Sequence, residues 1–98
     1  MPSICRDNDL GSTGHACTSV IGVQTTQSSV FANRIPVARL GDPARPHTIL
    51  RGKRCVGHPA RVNAASRTVF AQGIRVARIG DSYDQGQMLK GSLTVISN

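Results

Sequence analysis

The sequence predicts an all-β domain built from short β-hairpins and ordered loops. Three observations lead to this fold class: an internal repeat, short apolar runs without helical periodicity, and frequent turn residues, with ten Gly and five Pro. The 98 residues are expected to form one domain, 1–98. Aromatic residues make up only 3% of the chain, so its core is thin. A thin core needs a disulfide, a metal or a partner subunit to stabilise it.

The repeat is the most informative feature of the sequence. Residues 30–42 read VFANRIPVARLGD and residues 69–81 read VFAQGIRVARIGD, with nine of thirteen positions identical. Weaker copies lie at both chain ends, and together they complete a third unit. The units are centred on residues 28–42, on 66–81, and on 92–98 joined with 2–9. Because three units are too few for a solenoid, we expect a closed arrangement with pseudo-three-fold symmetry.

Each long copy predicts two short strands joined by a two-residue turn. The turn is Asn33-Arg34 in one copy and Gln72-Gly73 in the other, where glycine permits a positive φ. Pro36 predicts an edge position, since it cannot donate a ladder hydrogen bond. Gly41-Asp42 and Gly80-Asp81 close the two copies with turn-forming residues.

The charge balance is strongly basic. Lys plus Arg is 12 and Asp plus Glu is 5, a formal net charge of +7, and Glu is absent. This balance indicates an anionic partner such as nucleic acid, lipopolysaccharide or an acidic protein surface, or it serves solubility alone. No apolar run approaches the length of about 18 residues that a membrane helix requires. The sequence therefore predicts no integral membrane protein.

The chain contains three cysteines, Cys5, Cys17 and Cys55. An odd number cannot form a closed disulfide framework, and the first residues contain no apolar segment typical of a secretory signal. We therefore expect folding in a reducing cytoplasm, where thiols stay free or bind metal. Cys5 aligns with Ala38 and Ala77 in the repeat, which predicts a small packed residue.

Three histidines and one cysteine form the candidate metal site. His15 and His47 each follow a repeat aspartate, and Cys55 and His58 are spaced C-x-x-H. All four fall in irregular segments between hairpins, and three imidazoles with one thiolate suit tetrahedral zinc. Iron is also compatible with these ligands.

Two alternatives bear on this site. The spacing itself is a weak signal, because C-x-x-H pairs often occur by accident. Cys17 is a rival to Cys55, since it lies two residues from His15, although such neighbours point to opposite faces of an extended segment. In the third copy the matching position is Gln87, so the third ligand slot is expected to be vacant.

Catalysis is not predicted. Without Glu, an acid–base pair would need two of the five Asp residues. Asp42 and Asp81 are turn residues, expected to cap their turns or pair with Arg39 and Arg78. A metal with four protein ligands keeps no open position for water, which disfavours hydrolysis.

The segments IPVARLGD and IRVARIGD, the S-x-T-V-F-A hairpin start and the set of three histidines with one cysteine resemble the PAAR-repeat proteins (proline-alanine-alanine-arginine). The resemblance extends from about residue 4 to residue 98. The motif departs from the family pattern where the second copy loses its Pro and where the first copy reads Cys-Arg-Asp-Asn-Asp.

The resemblance implies a small cone of β-hairpins whose base docks on a trimeric β-helical spike, one monomer per trimer. It implies a metal at the apex, usually zinc, held by His15, His47, Cys55 and His58. Such proteins form the membrane-piercing tips of contractile phage tails and type VI secretion machines. The candidate spike-binding residues are the apolar hairpin positions Val30, Phe31, Val69, Phe70, Val95 and Ile96, of which half are expected to face the domain's own core.

The expected location is the virion, at the tip of the tail spike, with transient contact with the target envelope. The alternative is a bacterial cytoplasmic protein that a secretion machine delivers outside the cell. The chain ends directly after its last strand, which predicts a tip without a fused toxin. The alternative function is a zinc-dependent nucleic-acid-binding module, which the basic charge and the C-x-x-H spacing support. The repeat has no use in such a module.

Overall fold

The computed structural model describes residues 1–98 and contains only β-structure, which confirms the predicted all-β class. Ten short strands pair in chain order as five antiparallel two-stranded hairpins. No element is a helix of the length and apolarity needed to cross a membrane. The strands are β1 Leu10–Ser12, β2 Val20–Gly22, β3 Phe31–Ala32, β4 Ile35–Pro36, β5 His47–Arg51, β6 Arg54–His58, β7 Phe70–Ala71, β8 Ile74–Arg75, β9 Ser82–Tyr83 and β10 Gly86–Gln87.

The two long repeat copies form the hairpins that the sequence predicts. Strands β3 and β4 pair through Ala32 and Ile35, and β7 and β8 pair at the equivalent positions. The turn residues have positive φ in both copies, at 55° and 66° for Asn33-Arg34 and at 50° and 80° for Gln72-Gly73. Two successive positive φ values define the tight hairpin turn whose twist matches its strands.

The two ends of the chain pair with each other in the same way. The Ile4 N–H donates to the Val95 carbonyl at 3.0 Å. The equivalent bonds of the long copies run from Val37 to Val30 and from Val76 to Val69, also at 3.0 Å. The terminal segments therefore supply the two halves of a third pairing, as the repeat analysis expects.

The three units are joined by backbone hydrogen bonds that close on one another. The Ala38 N–H donates to Cys5, the Ala77 N–H donates to Ala38, and the Cys5 N–H donates to Ala77, each at 2.9 Å. All three residues are completely buried, which leaves room only for small side chains. The structure thus confirms Cys5 as a small packed residue. Burial, together with the nearby charges of Asp9 and Asp81, raises the pKa of its thiol.

The core consists of two small apolar clusters. One contains Cys5, Ala38 and Ala77, which the cyclic backbone bonds join, together with larger side chains. The other lies among the repeat hairpins. The first cluster comprises Cys5, Val23, Ala38, Val62, Ala77, Tyr83 and Met88. The second comprises Ile4, Ala32, Val37, Ala71 and Val76, with Val69 and Val95 packed against it.

Each repeat unit ends in the same aspartate turn. The Asp side chain accepts the backbone N–H of the Arg three residues earlier, at 2.7–2.8 Å in all three units, which confirms the predicted capping role. The Asp carbonyl then accepts the N–H of a core residue further along the chain: Val23 for Asp9, Val62 for Asp42 and Met88 for Asp81. Three loops, 10–22, 43–61 and 82–87, thus begin and end at the same kind of hydrogen bond.

Candidate metal centre

The three loops bring four potential metal ligands together. His15 comes from the first loop, His47 and His58 from the second, and Asp84 from the third. Their ligand atoms all lie within 4.8 Å of one another, so the group could hold a metal ion. The Asp84 carboxylate lies 2.8 Å from His15 Nε2 and 3.1 Å from Nε2 of both His47 and His58.

The His15 loop is folded around a buried threonine. The Thr13 hydroxyl accepts the His15 N–H and donates to the Thr18 carbonyl, so this short segment is ordered without regular structure. Gly14 has φ +77°, and a Cβ built on it would lie only 2.5 Å from the Gln85 carbonyl oxygen. Glycine is therefore required here, because the first and third loops approach each other closely at the metal centre.

His47 and His58 are held by strand pairing. They are the first residue of β5 and the last residue of β6, and they lie directly opposite each other in the hairpin. Residues opposite each other in an antiparallel pair project from the same face. Hairpin register therefore places both imidazoles on one side, with ring centroids 5.1 Å apart.

Asp84 occupies the first position of the turn that joins β9 and β10, with φ +54°. Its backbone is anchored on both sides, because its N–H donates to the Arg61 carbonyl at 3.2 Å and its carbonyl accepts Asn63 Nδ2 at 3.0 Å. The preceding Tyr83 is completely buried and donates its hydroxyl to the Ile21 carbonyl at 3.2 Å. The third loop is therefore a short, fixed turn that presents a carboxylate.

The proton positions of two histidines favour a cation at this centre. His15 Nδ1 lies 3.1 Å from the Ala16 carbonyl, and His47 Nδ1 lies 3.0 Å from the Arg45 carbonyl. A carbonyl only accepts hydrogen bonds, so each Nδ1 carries the proton. In a neutral imidazole each Nε2 then offers a lone pair, which faces the carboxylate of Asp84, another acceptor. A metal ion between these atoms satisfies all of them, so the four side chains fit a bound metal.

Three imidazole rings and one carboxylate are closely packed at this centre, with ring centroids 4.8–5.5 Å apart. Burial acts to raise the pKa of Asp84, but its close contacts with the ring nitrogens of His58, His15 and His47 outweigh burial and hold that pKa below its ordinary value. The side chains are 0–16% exposed, so solvent screens them little. A carboxylate that stays ionised next to imidazole nitrogens is a suitable metal ligand.

The structure does not bring Cys55 to this group, and the prediction of Cys55 as a ligand is corrected. Cys55 forms a disulfide with Cys17, with a Cα–Cα distance of 5.8 Å. Cys55 and His58 both lie in β6 and are three residues apart. Side chains three apart in a strand point to opposite faces, so C-x-x-H cannot chelate a metal here. The expectation that the thiols stay free or bind metal is also wrong for Cys17 and Cys55, whereas Cys5 is a free thiol. The disulfide also excludes Cys17 as the rival ligand.

The structure also corrects the expectation of a vacant third slot. Asp84, and not Gln87, contributes from the third loop, while Gln87 is exposed and pairs with Ser82. Sequence reasoning assumed the same distance after each repeat aspartate, but the third loop is the shortest of the three. A search of each loop for any ligand type would have found Asp84, the only acidic residue that follows Asp81.

The apolar hairpin positions proposed as a partner surface divide into two sets. Phe31, Phe70 and Ile96 are 52–54% exposed. Val69 and Val95 are partly buried against the hairpin cluster, and Val30 is 36% exposed. The exposed set thus occupies the same position in each of the three units.

Comparison of the chain with protein-family models finds no matching model, and comparison with curated proteins finds no matching relative.

Proposed function

We propose that the chain is a structural tip protein that caps the end of a trimeric β-helical spike, as its resemblance to PAAR-repeat proteins implies. The observation that carries the proposal is the ring of three backbone bonds through Cys5, Ala38 and Ala77. Equivalent residues of three units donate to one another in a cycle, which is the bonding expected of pseudo-three-fold symmetry. A monomer with this symmetry can offer a matching contact to each subunit of a trimer.

The docking surface is the set of exposed apolar residues Phe31, Phe70 and Ile96. They lie at equivalent positions of the three units and are each about half exposed. A monomeric protein has little reason to expose a large apolar residue at the same position of every repeat. With one chain per trimer, each spike subunit would cover one of the three side chains at an equivalent site.

A tip must also resist unfolding, and the metal centre would provide this resistance. His15, His47, His58 and Asp84 would hold one metal ion, which we propose to be zinc, with iron as the alternative. The thiolate argument for zinc is lost with Cys55, so the preference rests on the three imidazoles and one carboxylate. When bound, the metal joins the three loops at one point, and opening any loop then requires a ligand to leave.

The proposal includes no enzymatic activity. The four side chains can fill a tetrahedral coordination sphere by themselves, so a water molecule has no ligand position to occupy. The proposed location is the end of a phage tail spike in the virion, or the equivalent position in a bacterial secretion machine.

The test is stoichiometry. The oxidised, zinc-loaded chain is mixed with a purified trimeric β-helical spike, and the complex is weighed by native mass spectrometry. We expect one chain per trimer, and F31S/F70S/I96S should abolish the complex while R51Q/K53Q/R54Q, which changes three exposed cations of the β5–β6 hairpin, should preserve it. Three chains per trimer would contradict the proposal.

The second candidate, a zinc-dependent nucleic-acid-binding module, predicts a different result. It requires tight binding to duplex DNA at low salt that weakens steeply as salt increases. Such binding together with no spike complex would replace the tip function with this one.

A further inference from the structure

The β5–β6 hairpin forms an arm, residues 47–58, that extends away from the rest of the domain. Its strands pair with each other over their whole length, from His47 opposite His58 to Arg51 opposite Arg54. Outside the arm, only the segment at Cys17 and Thr18 pairs with it in the manner of a strand. Cys17 forms a β-bridge with Ile49, and Thr18 forms hydrogen bonds with Thr48. Every residue from 50 to 57 is exposed.

The arm is held at Thr48 near its base and at Cys55 near its tip, so the tip is presented in a fixed position. The Cys17–Cys55 disulfide ties β6 to the first loop. The Thr18 N–H donates to the Thr48 carbonyl at 3.2 Å, and the two threonine hydroxyls lie 3.1 Å apart. An isolated hairpin is marginally stable in water, and this cross-link is what allows it to project.

The tip of the arm is an uncompensated cluster of cations. Arg51, Lys53 and Arg54 lie within four residues, are exposed and form no ion pair. No acid is left to neutralise them, because Glu is absent and each of the five Asp side chains has a partner elsewhere. Asp7 contacts Arg45, Asp9 contacts Arg6, Asp42 accepts from Thr26, Asp81 contacts Arg78, and Asp84 contacts the histidines.

Two exposed aliphatic residues flank these cations. Leu50 is 47% exposed and Val56 is 36% exposed. Leu50 lies opposite Cys55 and Val56 lies opposite Ile49, so Leu50 and Val56 project from opposite faces of the arm. The tip therefore combines cations at its end with an apolar side chain on each face.

We infer that the arm binds the surface of a bilayer that contains anionic phospholipids. Cations at the tip would contact phosphate groups, while Leu50 and Val56 would enter the boundary between head groups and acyl chains. Nucleic acid fits less well, because the arm has no aromatic residue for base stacking and its aliphatic residues would face water. The inference depends on the exposed part of the arm, residues 50–57, and not on the spike or on the proposed metal ligands His47 and His58 at its base.

The test uses the full oxidised chain and phosphatidylcholine vesicles with and without phosphatidylglycerol, with binding measured by co-sedimentation. Each cation near an anionic surface contributes roughly a fivefold gain in affinity, so R51Q/K53Q/R54Q should weaken binding by about a hundredfold. The matched control R34Q/R67Q/K90Q removes three exposed cations outside the arm and should weaken binding by less than about tenfold, since salt screens distant charges. L50S/V56S should also weaken binding.

Three results would overturn the inference. Equal losses in the two triple variants would show that net charge alone drives binding. Equal binding to vesicles with and without phosphatidylglycerol would exclude anionic head groups as the partner. Tighter binding to duplex DNA than to vesicles at the same salt, with the loss confined to R51Q/K53Q/R54Q, would make the arm a nucleic-acid contact. Thermal unfolding of each variant confirms that it is folded, and failure to bind a spike would leave these results unaffected.

Discussion

The two ends of this molecule differ in how closely they keep the internal repeat. The hairpin end, formed by the three repeat units, makes the same bonds three times, with each aspartate turn closed at 2.7–2.8 Å. The loop end, formed by residues 10–22, 43–61 and 82–87, has three loops of different length and content. One carries a histidine, one carries two histidines, and one carries an aspartate. The repeated hydrogen bonds therefore form the scaffold of the domain, and the residues that differ between the three loops form the metal centre.

The ends also differ in how they are stabilised. The hairpin end has a cluster of buried apolar residues and backbone hydrogen bonds between units. Most of the arm is exposed, and the loop end depends on a disulfide and a polar cluster. We expect damage to the hairpin end to affect global stability, whereas damage to the metal centre should depend on the metal present.

The largest expected effect comes from the hairpin end, at Asp42. Its side chain is buried and accepts both the Arg39 N–H at 2.8 Å and the Thr26 hydroxyl at 2.6 Å. Arg39 is itself buried, and its guanidinium reaches the Asp42 carboxylate through the Thr26 hydroxyl, which accepts from Arg39 Nη2 at 3.0 Å. Asp42→Ala would therefore remove the carboxylate that ends this chain of hydrogen bonds and leave a buried cation without it. We expect a loss of about 3–5 kcal/mol in the free energy of unfolding, measured by urea denaturation.

The matched control is Asp9→Ala. Asp9 makes the equivalent bond to the Arg6 N–H, but its side chain is 13% exposed and water can replace it. The expected loss is about 1.5 kcal/mol. Equal losses at the two positions would mean that the turn bond matters and the burial of Arg39 does not.

The next effect tests the cross-link of the loop end. The Cys17–Cys55 disulfide joins residues 38 apart, for which loop-closure entropy predicts a stabilisation of about 4 kcal/mol as an upper value. C17S/C55S should therefore lower the free energy of unfolding by up to about that amount. C5A, which changes a buried residue outside the disulfide, is the comparison variant.

Thiol titration gives an independent check of the same cross-link. The native chain should show no reactive thiol, because Cys5 is completely buried and its raised pKa keeps the thiol protonated. Denaturation without reductant should expose one thiol, and denaturation with reductant should expose all three. Three reactive thiols without reductant would contradict the disulfide.

The same division decides what could be predicted from sequence. The hairpins at 31–36 and 70–75 were predictable, because turn residues and strand residues are neighbours in the chain. The three histidines were predictable as metal ligands from their residue type, but the fourth ligand was not. The prediction of Cys55 as a ligand was wrong because C-x-x-H falls within a regular strand. Asp84 was missed because the loops differ in length, so the ligands do not follow each repeat aspartate at a constant distance. The Cys17–Cys55 pairing depends on how the loops cross, which no local pattern encodes.

The third prediction tests the metal centre at Asp84. Asp84→Ala should lower metal affinity by about a hundredfold or more, since it removes the carboxylate that contacts all three histidines. Metal at a hundred times its dissociation constant adds about 2.7 kcal/mol of stability, and the variant should lose this increment. Titration calorimetry with zinc and melting with and without a chelator measure both effects.

Gln87→Ala is the matched control for Asp84→Ala. Gln87 is the position that equal repeat spacing selects, yet it is exposed and outside the four-residue group. The Gln87→Ala variant should bind metal as tightly as the unmodified chain. Loss of metal in the Gln87 variant with retention in the Asp84 variant would restore the repeat-based assignment and contradict the centre described above.

The smallest expected effect on stability returns to the hairpin end, at its exposed phenylalanines. Phe31 and Phe70 are 52% and 54% exposed, so F31S/F70S should change the free energy of unfolding by no more than about 0.5 kcal/mol per site. Val37→Ala and Val76→Ala, in the cluster beneath them, should each cost more, because both valines are buried. Urea denaturation of these variants separates surface from core. If the phenylalanine variants unfold as easily as the valine variants, then Phe31 and Phe70 stabilise the isolated domain, and their exposure no longer argues for a partner that covers them.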